Sequence, residues 1–439
     1  MNISVYSEFL KGLDGYIYLF NTLTLKWLQL DPKLASILRS HANNLIRLKD
    51  IHPEFFNVLL KENFIIEEEG EDIDRAKNKI IKEYENTDYV KITINPTLDC
   101  NVRCWYCYED KYEKSMMSSS MITATINFLC ALIKEKEIKE LQLSFFGGEP
   151  LLYFDNVVLP IIKGIAPIGK DRGTSVRVHF TTNGLLLSSR IIEILKDLAL
   201  PTSFQIAFDG GRSQHNSVKF LSEGYSCYDK TIDNAQKAIE AGFFVIVRCN
   251  YNKQTVLSFE ELIKDFEEFH SNENLSFSFQ RIWQEAEDDE MKELRNKLYD
   301  ELTDKYKFQS NINSLGTHSL SRCYADSKFN YLINYDGIVG RCTARNFTEE
   351  YGIGRLSEKG LRLKHIETGF EATSYKQQCC SCKLLPICPL CSQKRRENIE
   401  NGCDIPSRPQ QVLNTIIDVF ENLSGVLVSD EQKKVIKFG

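Results

Sequence analysis

Leu98-Asp99-Cys100-Asn101-Val102-Arg103-Cys104-Trp105-Tyr106-Cys107-Tyr108 places three thiols at a spacing of three, then two, intervening residues, directly after a predicted strand. Four cysteines would close a structural zinc or iron-sulfur site. Three on one tight loop suit a 4Fe-4S cluster that keeps one iron open to an exogenous ligand. A zinc knuckle uses the same thiolates and is the competing reading of this string alone.

Outward from this loop, the chain alternates strands and helices from Lys91 onward, the pattern of parallel strands with helical crossovers. The strand candidates are Val90 to Ile94, Leu141 to Phe146, Val176 to Thr181, Phe204 to Phe208, Phe243 to Cys249 and Leu275 to Gln280. Ser118 to Lys136, Ser188 to Leu198, Asp229 to Ala241 and Phe259 to His270 carry apolar residues at helical spacing between them. Six such units predict an α/β fold built on a partial (β/α)6 TIM-like barrel. Barrels of this kind place chemistry at the carboxyl ends of their strands. The motifs fall there: the cysteine loop, then Gly147-Gly148-Glu149-Pro150, Thr182-Asn183-Gly184, Asp209-Gly210, and Arg248 with Asn250.

The chain has 439 residues, 42% hydrophobic and 26% charged, which predicts about three domains of ordinary globular composition. No basic-then-apolar opening and no apolar run long enough to span a bilayer is expected, so the sequence predicts a cytoplasmic protein without a membrane partner. The formal charge of −7, from 54 basic and 61 acidic residues, argues against nucleic acid as a partner and favours a basic peptide. Fourteen cysteines in a reducing compartment point to metal rather than disulfides. Three of them, Cys130, Cys227 and Cys249, lie on apolar segments and read as packing residues.

The cysteine string, with an aromatic residue before its third cysteine, resembles that of the radical S-adenosylmethionine (SAM) enzymes. The resemblance implies that Cys100, Cys104 and Cys107 hold a 4Fe-4S cluster whose open iron is chelated by SAM, cleaved reductively to a 5′-deoxyadenosyl radical. Gly147, Gly148, Glu149 and Pro150 match the family's amino-group motif: glycines let backbone carbonyls approach an ammonium, Glu149 accepts from it, and proline stiffens the turn. Thr182 and Asn183 are candidates for the ribose or carboxylate, Asp209 for ribose hydroxyls, and Arg248 for the SAM carboxylate. Tyr106 resembles the aromatic whose backbone meets the adenine. Such chemistry demands exclusion of water and oxygen, and the resemblance implies a low-potential electron donor such as flavodoxin or ferredoxin. No general base is singled out by spacing, so no catalytic residue is assigned beyond the SAM cluster.

A second cysteine field begins at Cys323 and continues through Cys342, Cys379-Cys380-Ser381-Cys382, Cys388-Pro389-Leu390-Cys391 and Cys403. Its order resembles a SPASM domain, the auxiliary-cluster module of radical SAM enzymes that modify peptides. Carried over by order, Cys323, Cys342 and Cys391 hold a first auxiliary cluster, and Cys379, Cys382, Cys388 and Cys403 a second. The gap between Cys388 and Cys391 is two residues where the family more often has three, and no second cysteine closely follows Cys323. The first auxiliary site is therefore either a three-cysteine 4Fe-4S site or a smaller 2Fe-2S cluster. Three iron-sulfur clusters are expected in all, with Cys380 outside both auxiliary sets; a pair of zinc ribbons offers the same ligand type.

At the front, Tyr16 to Phe20, a turn, and Leu25 to Leu30 predict a hairpin, followed by helices from Pro32 and from Pro53 to Lys61 and a strand at Phe64 to Ile66. This layout resembles the winged-helix leader-recognition elements of enzymes that mature ribosomally made peptides, where an extended leader adds to a sheet edge. The acidic run from Glu67 to Asp72 and the polar sequence to Asp88 predict a solvated helical linker. The expected division is 1–88 winged-helix element and linker, 89–310 radical SAM barrel, and 311–439 SPASM domain. The function implied is a radical SAM maturase that cross-links or oxidises side chains of a ribosomally synthesised precursor peptide. A sulfatase-maturating formylglycine former and a zinc-binding peptide chaperone without catalysis are the competing readings.

Overall fold

The computed structural model describes residues 1–110, 112–219, 226–285, 288–308, 322–365, 369–397 and 409–433, which fall into two compact units. One contains residues 1–86 with the described parts of 314–328 and 366–439; the other contains the described parts of 87–313 with 329–365.

In the first unit, β1 (Asn2–Ile3) is short, and β2 (Ser7–Lys11), β3 (Ile17–Asn21) and β4 (Lys26–Leu30) form an antiparallel meander in that order. The expected hairpin is β3 with β4; β2 adds the third strand. β5 (Ile65–Ile66) pairs antiparallel with β1. Asp31 caps the helix Pro32–Ser40 by accepting from the Lys33 amide at 2.8 Å, with proline at the first helical position. β3 alternates with period two, and both of its faces are buried. Leu19 packs with Leu38, Phe55 and Phe56 of the front helices, whereas Tyr18 and Phe20 pack with Ile416 and Phe420 of the helix Pro409–Ser424.

The expected solvated linker differs. Residues Glu71–Tyr84 form a helix whose Ala76, Ile80 and Tyr84 are buried, and Asp72 is also buried, accepting from the Ser4 hydroxyl and the Val5 amide at 2.8 Å each. The charge run masked an apolar stripe at helical spacing, which packs against Tyr6 and Leu385.

The second unit is built on a ten-stranded sheet. Its parallel strands are β6 (Tyr89–Ile94), β7 (Glu140–Phe145), β8 (Ser175–Thr182), β9 (Thr202–Phe208), β10 (Phe244–Tyr251) and β11 (Leu275–Arg281), in that spatial order. Alternate residues Val90, Ile92 and Ile94, with Leu141, Leu143 and Phe145, enter the apolar core. There Phe145, Phe180 and Phe204 of successive strands stack at 5.3 and 5.2 Å between ring centres. Beyond the six expected strands, β12 (Tyr331–Ile333) pairs parallel with β6, and β13 (Ile338–Gly340), β14 (Gly354–Ser357) and β15 (Gly360–Leu363) continue the sheet antiparallel. Three residues are too few to show a periodicity, so β12 leaves no signal in the sequence.

The helical run Pro150–Arg172 corrects one expectation, since it has the length and mean hydropathy, 1.5, of a membrane-crossing segment. Val157, Ile161, Ile162 and Ile165 place it in the sheet's core.

Candidate active site

The three-cysteine loop is tied down before its first thiol. Asp99 closes a turn in which its two carboxylate oxygens accept from the Cys100 and Lys114 amides, both at 2.8 Å. Thr97 accepts from the Asp99 amide at 2.8 Å and donates to the Ser115 carbonyl, while the Ser115 hydroxyl accepts from the Leu98 amide at 3.0 Å. Arg103 folds back to donate to the Cys100 carbonyl at 2.6 Å. Cys100 is buried; Cys104 and Cys107 are half-buried and joined by a turn in which the Cys107 amide donates to the Cys104 carbonyl at 3.2 Å.

Gly147-Gly148-Glu149-Pro150 lies directly against this loop, and the two glycines have a reason the sequence did not reveal. A Cβ on Gly148 would stand 2.0 Å from the Asp99 carbonyl oxygen, and one on Gly147, whose φ is +93°, would stand 2.4 Å from that of Thr97. The glycines seat the cysteine loop on the end of β7: the Gly148 amide donates to Thr97 O at 3.2 Å and the Glu149 amide to Asp99 O at 2.8 Å. Glu149 is fully buried. Its carboxylate accepts from the Leu151 amide at 3.0 Å, the Thr182 hydroxyl at 2.7 Å and the Asn183 amide at 2.9 Å, so it knits the ends of β7 and β8 together. Pro150 opens the helical run that Glu149 caps.

Asn183 reaches the cysteine loop from the end of β8, its side-chain amide donating to Asn101 Oδ1 at 2.8 Å and lying 3.9 Å from Cys100 Sγ. From the other side, the Tyr106 hydroxyl donates to Asp209 and accepts from the Asn250 amide at 3.0 Å. Arg248 Nε donates to Asn250 Oδ1 at 2.8 Å. Thus, of the residues named from sequence, Tyr106, Asp209 and Arg248 are joined through hydrogen bonds with Asn250 at the carboxyl ends of the strands, while Asn183 holds the start of the cysteine loop separately.

Lys219 and His215 join Asp209 without any signal in the sequence. Lys219 Nζ is 2.9 Å from Asp209 Oδ2, with both side chains buried, and His215 Nδ1 accepts from the Asp209 amide at 3.4 Å. Burial by itself pushes the Asp209 carboxyl up. Lys219 and His215, together with the hydrogen bonds from Lys219 and Tyr106, hold it below the usual carboxylate range. Burial and the Lys219 ammonium push His215 down to about 3. Burial and the neighbouring Asp209 push the Tyr106 phenol well above its ordinary value, so it stays a donor at neutral pH. The Asp209 carboxylate is thus engaged by the Tyr106 hydroxyl and the Lys219 ammonium.

The second cysteine field is divided. In the first unit the thiols of Cys323 and Cys391 are hydrogen-bonded to each other, which lowers Cys391 and raises Cys323. Cys379, Cys382 and Cys388 lie in the same unit on short turns, with the Cys382 amide donating to Cys379 O at 3.0 Å. Cys342 belongs to the second unit, where its sulfur accepts from the Ala344 amide at 3.3 Å. Cys403 lies outside the described residues. Of the three cysteines expected to be packing residues, Cys227 and Cys249 are buried and Cys130 is half-buried.

Among the described residues no three His, Cys, Asp or Glu side chains converge to hold a single metal ion. A four-iron cluster takes each thiolate on a different iron, so its ligands need not converge on one point. Three thiols on a pinned loop, one of them within reach of an amide N–H, fit such a group.

Residues 94–270 match the model of the radical SAM superfamily. These residues are a radical SAM domain. The family implies SAM and a 4Fe-4S cluster as cofactors. The chain is similar to the radical SAM cyclopropyl synthase TigE of Paramaledivibacter caminithermalis, 25% identical over 62% of this chain and 61% of that protein. It is also similar to GTP 3′,8-cyclase of Listeria monocytogenes, 29% identical over 40% of this chain and 51% of the cyclase. The chain therefore matches about half to three-fifths of the length of these curated relatives. Among solved structures, native anSMEcpe with bound AdoMet and Cp18Cys peptide shares the fold over 77% of this chain and 99% of that one, at a TM-score of 0.53 and 16% identity.

Proposed function

We propose that the protein is a radical SAM peptide maturase that cross-links or oxidatively modifies side chains of a ribosomally made precursor peptide. The carrying observation is the three-thiol loop seated on Gly147 and Gly148 at the carboxyl ends of the parallel strands. Cys100, Cys104 and Cys107 would hold the cluster, which when bound supplies the electron for reductive cleavage of SAM. Glu149, Thr182 and Asn183 fix the strand ends beneath it, and Arg248 offers a cation for the SAM carboxylate. Seven of the eight cysteines from Cys323 to Cys403, all but Cys380, would hold auxiliary clusters.

Two features favour a peptide substrate. The second cysteine field follows the order of peptide-modifying relatives, and the front sheet keeps an edge for strand addition. The β2 edge is closed by Gly12 bridging Val428 and by the Ser429 amide donating to Lys11 O at 2.8 Å. β4 pairs only with β3 among the described residues and exposes Trp27, so an extended leader would add there. A solved protein of similar fold holds a peptide. The match to GTP 3′,8-cyclase covers fewer residues, 189 against 305 for TigE, and gives GTP a place as the competing substrate.

The test incubates anaerobically reconstituted protein with SAM, reductant and the precursor peptide. Formation of 5′-deoxyadenosine together with a peptide lacking two hydrogens supports the cross-linking reading, and an unchanged peptide mass rejects it. Consumption of GTP in the same assay would select the cyclase reading.

A further inference from the structure

The Cys104 to Cys107 half of the cysteine loop is anchored through a side chain that the cluster does not use. Tyr106 sits between those two cysteines and moves with them. Its hydroxyl has one proton and accepts readily, and both capacities are specified: Asp209 at the end of β9 takes the proton, and Asn250 on β10 donates at 3.0 Å. Asp209 is held in turn by Lys219 at 2.9 Å, with side-chain exposures of 1% and 3%. Lys219 also donates to the Ala207 carbonyl of β9. The Gln284 amide donates to the Tyr106 carbonyl, so the same residue is held at main chain and side chain.

Burying an ammonium and a carboxylate at a strand end is costly unless their geometry is well satisfied, and what such a pair gives in return is a fixed position. Here the fixed position is that of the phenol, and through it that of two of the three thiols. We propose that Tyr106, Asp209 and Lys219 form a positioning chain that sets the cysteine loop against the ends of β9 and β10, and so fixes the cluster's distance from SAM bound there. This rests on the radical SAM reading of the loop. It gives Asp209 the role of a positioning residue and Tyr106 a role carried by its hydroxyl.

The test uses the anaerobically loaded holoenzyme and Tyr106→Phe, which keeps the ring and deletes the hydroxyl. Three results are expected: iron content equal to the wild type, faster amide hydrogen exchange across residues 100–110, and a SAM titration displaced in the electron paramagnetic resonance spectrum of the reduced cluster. The SAM concentration at half-change and the KM for SAM should rise about tenfold, the effect of one hydrogen bond to a charged group, with kcat falling less. Asp209→Asn should reproduce this, and the double variant should be no worse than the worse single one, because both cut the same chain. Asn250→Ala, which removes the other partner of the hydroxyl and leaves the ion pair intact, gives the same direction if Asp209→Asn fails to fold.

A lowered melting temperature with unchanged exchange and an unchanged SAM titration would show a merely structural role and overturn the proposal. A wild-type holoenzyme whose spectrum ignores SAM overturns the radical SAM reading and the proposal with it. A responsive wild type beside an equally responsive Tyr106→Phe overturns the proposal alone.

Discussion

The hydroxyl of Thr182 donates to the carboxylate of Glu149 at 2.7 Å, joining the ends of two neighbouring parallel strands at a fully buried acid. The same carboxylate takes the Asn183 and Leu151 amides, so three donors depend on it. Glu149→Ala leaves them unpaired in the interior, at about 1–3 kcal/mol for each group left unsatisfied. The expected outcome is a melting temperature lower by several degrees and loss of iron on purification. Glu149→Gln, which retains one acceptor, should fall between. Thermal melts with iron analysis on the same samples check this.

Gly148→Ala should act on the loop instead of the strands. The added Cβ would meet the Asp99 carbonyl oxygen at 2.0 Å, and relief requires the backbone just before Cys100 to move. Overpacking of this kind costs about 1–3 kcal/mol. The expected result is a folded protein that reconstitutes poorly and cleaves SAM slowly, measured by iron retained per chain and by 5′-deoxyadenosine released. Ala at Gly173, where nothing lies within 4 Å of the added carbon but φ is +69°, should cost stability without touching iron content.

His215 makes stability depend on pH. It is buried between the rings of Phe208 and Tyr228, and its folded value of about 3 lies below the ordinary value of about 6.5. Between these values the unfolded chain holds a proton that the folded chain does not, so stability falls as pH drops through that window. From pH 6.5 to 5 this one group should remove about 2 kcal/mol. His215→Phe should flatten that part of the profile. Urea unfolding at several pH values measures it.

Arg395 pairs with Asp326 at 3.2 Å, both nearly buried, and lies 3.8 Å from the centre of the Tyr375 ring. Removing the cation by Arg395→Met leaves a buried carboxylate without its counter-charge, at about 3–5 kcal/mol. Arg395→Lys should not restore the wild type, because an ammonium lacks the planar face that stacks on tyrosine and the fork that also reaches the Thr373 carbonyl. Asp326→Asn combined with Arg395→Met should recover part of the loss. Melting temperatures of the four proteins decide it.

Much of the parallel sheet was readable because its strands carry a period of two, with Val90, Ile92 and Ile94 on one face and Lys91 and Thr93 on the other. The helices were readable from caps such as Ser118 and Ser188, each of whose side chains accepts from the amide three residues on. The site was readable where chemistry is local: three thiols in eight residues, two glycines before an acid, an asparagine at a strand end. Lys219 and His215 escaped because a lysine and a histidine near a short helix look like any solvated pair until the fold buries them. The glycines were found for an incomplete reason, since their contact with the Asp99 and Thr97 carbonyls joins segments some fifty residues apart.

By itself the amino-acid order determined the thiol spacing, the strand and helix alternation, and which residues stand at strand ends, because each depends on neighbours along the chain. Only the tertiary structure decided that β3 is covered on both faces, that the charged helix Glu71–Tyr84 hides an apolar stripe, and that Asp209 is held by Lys219. Those outcomes depend on which surfaces lose water when distant segments meet, and desolvation is a property of the packed chain that no local pattern encodes.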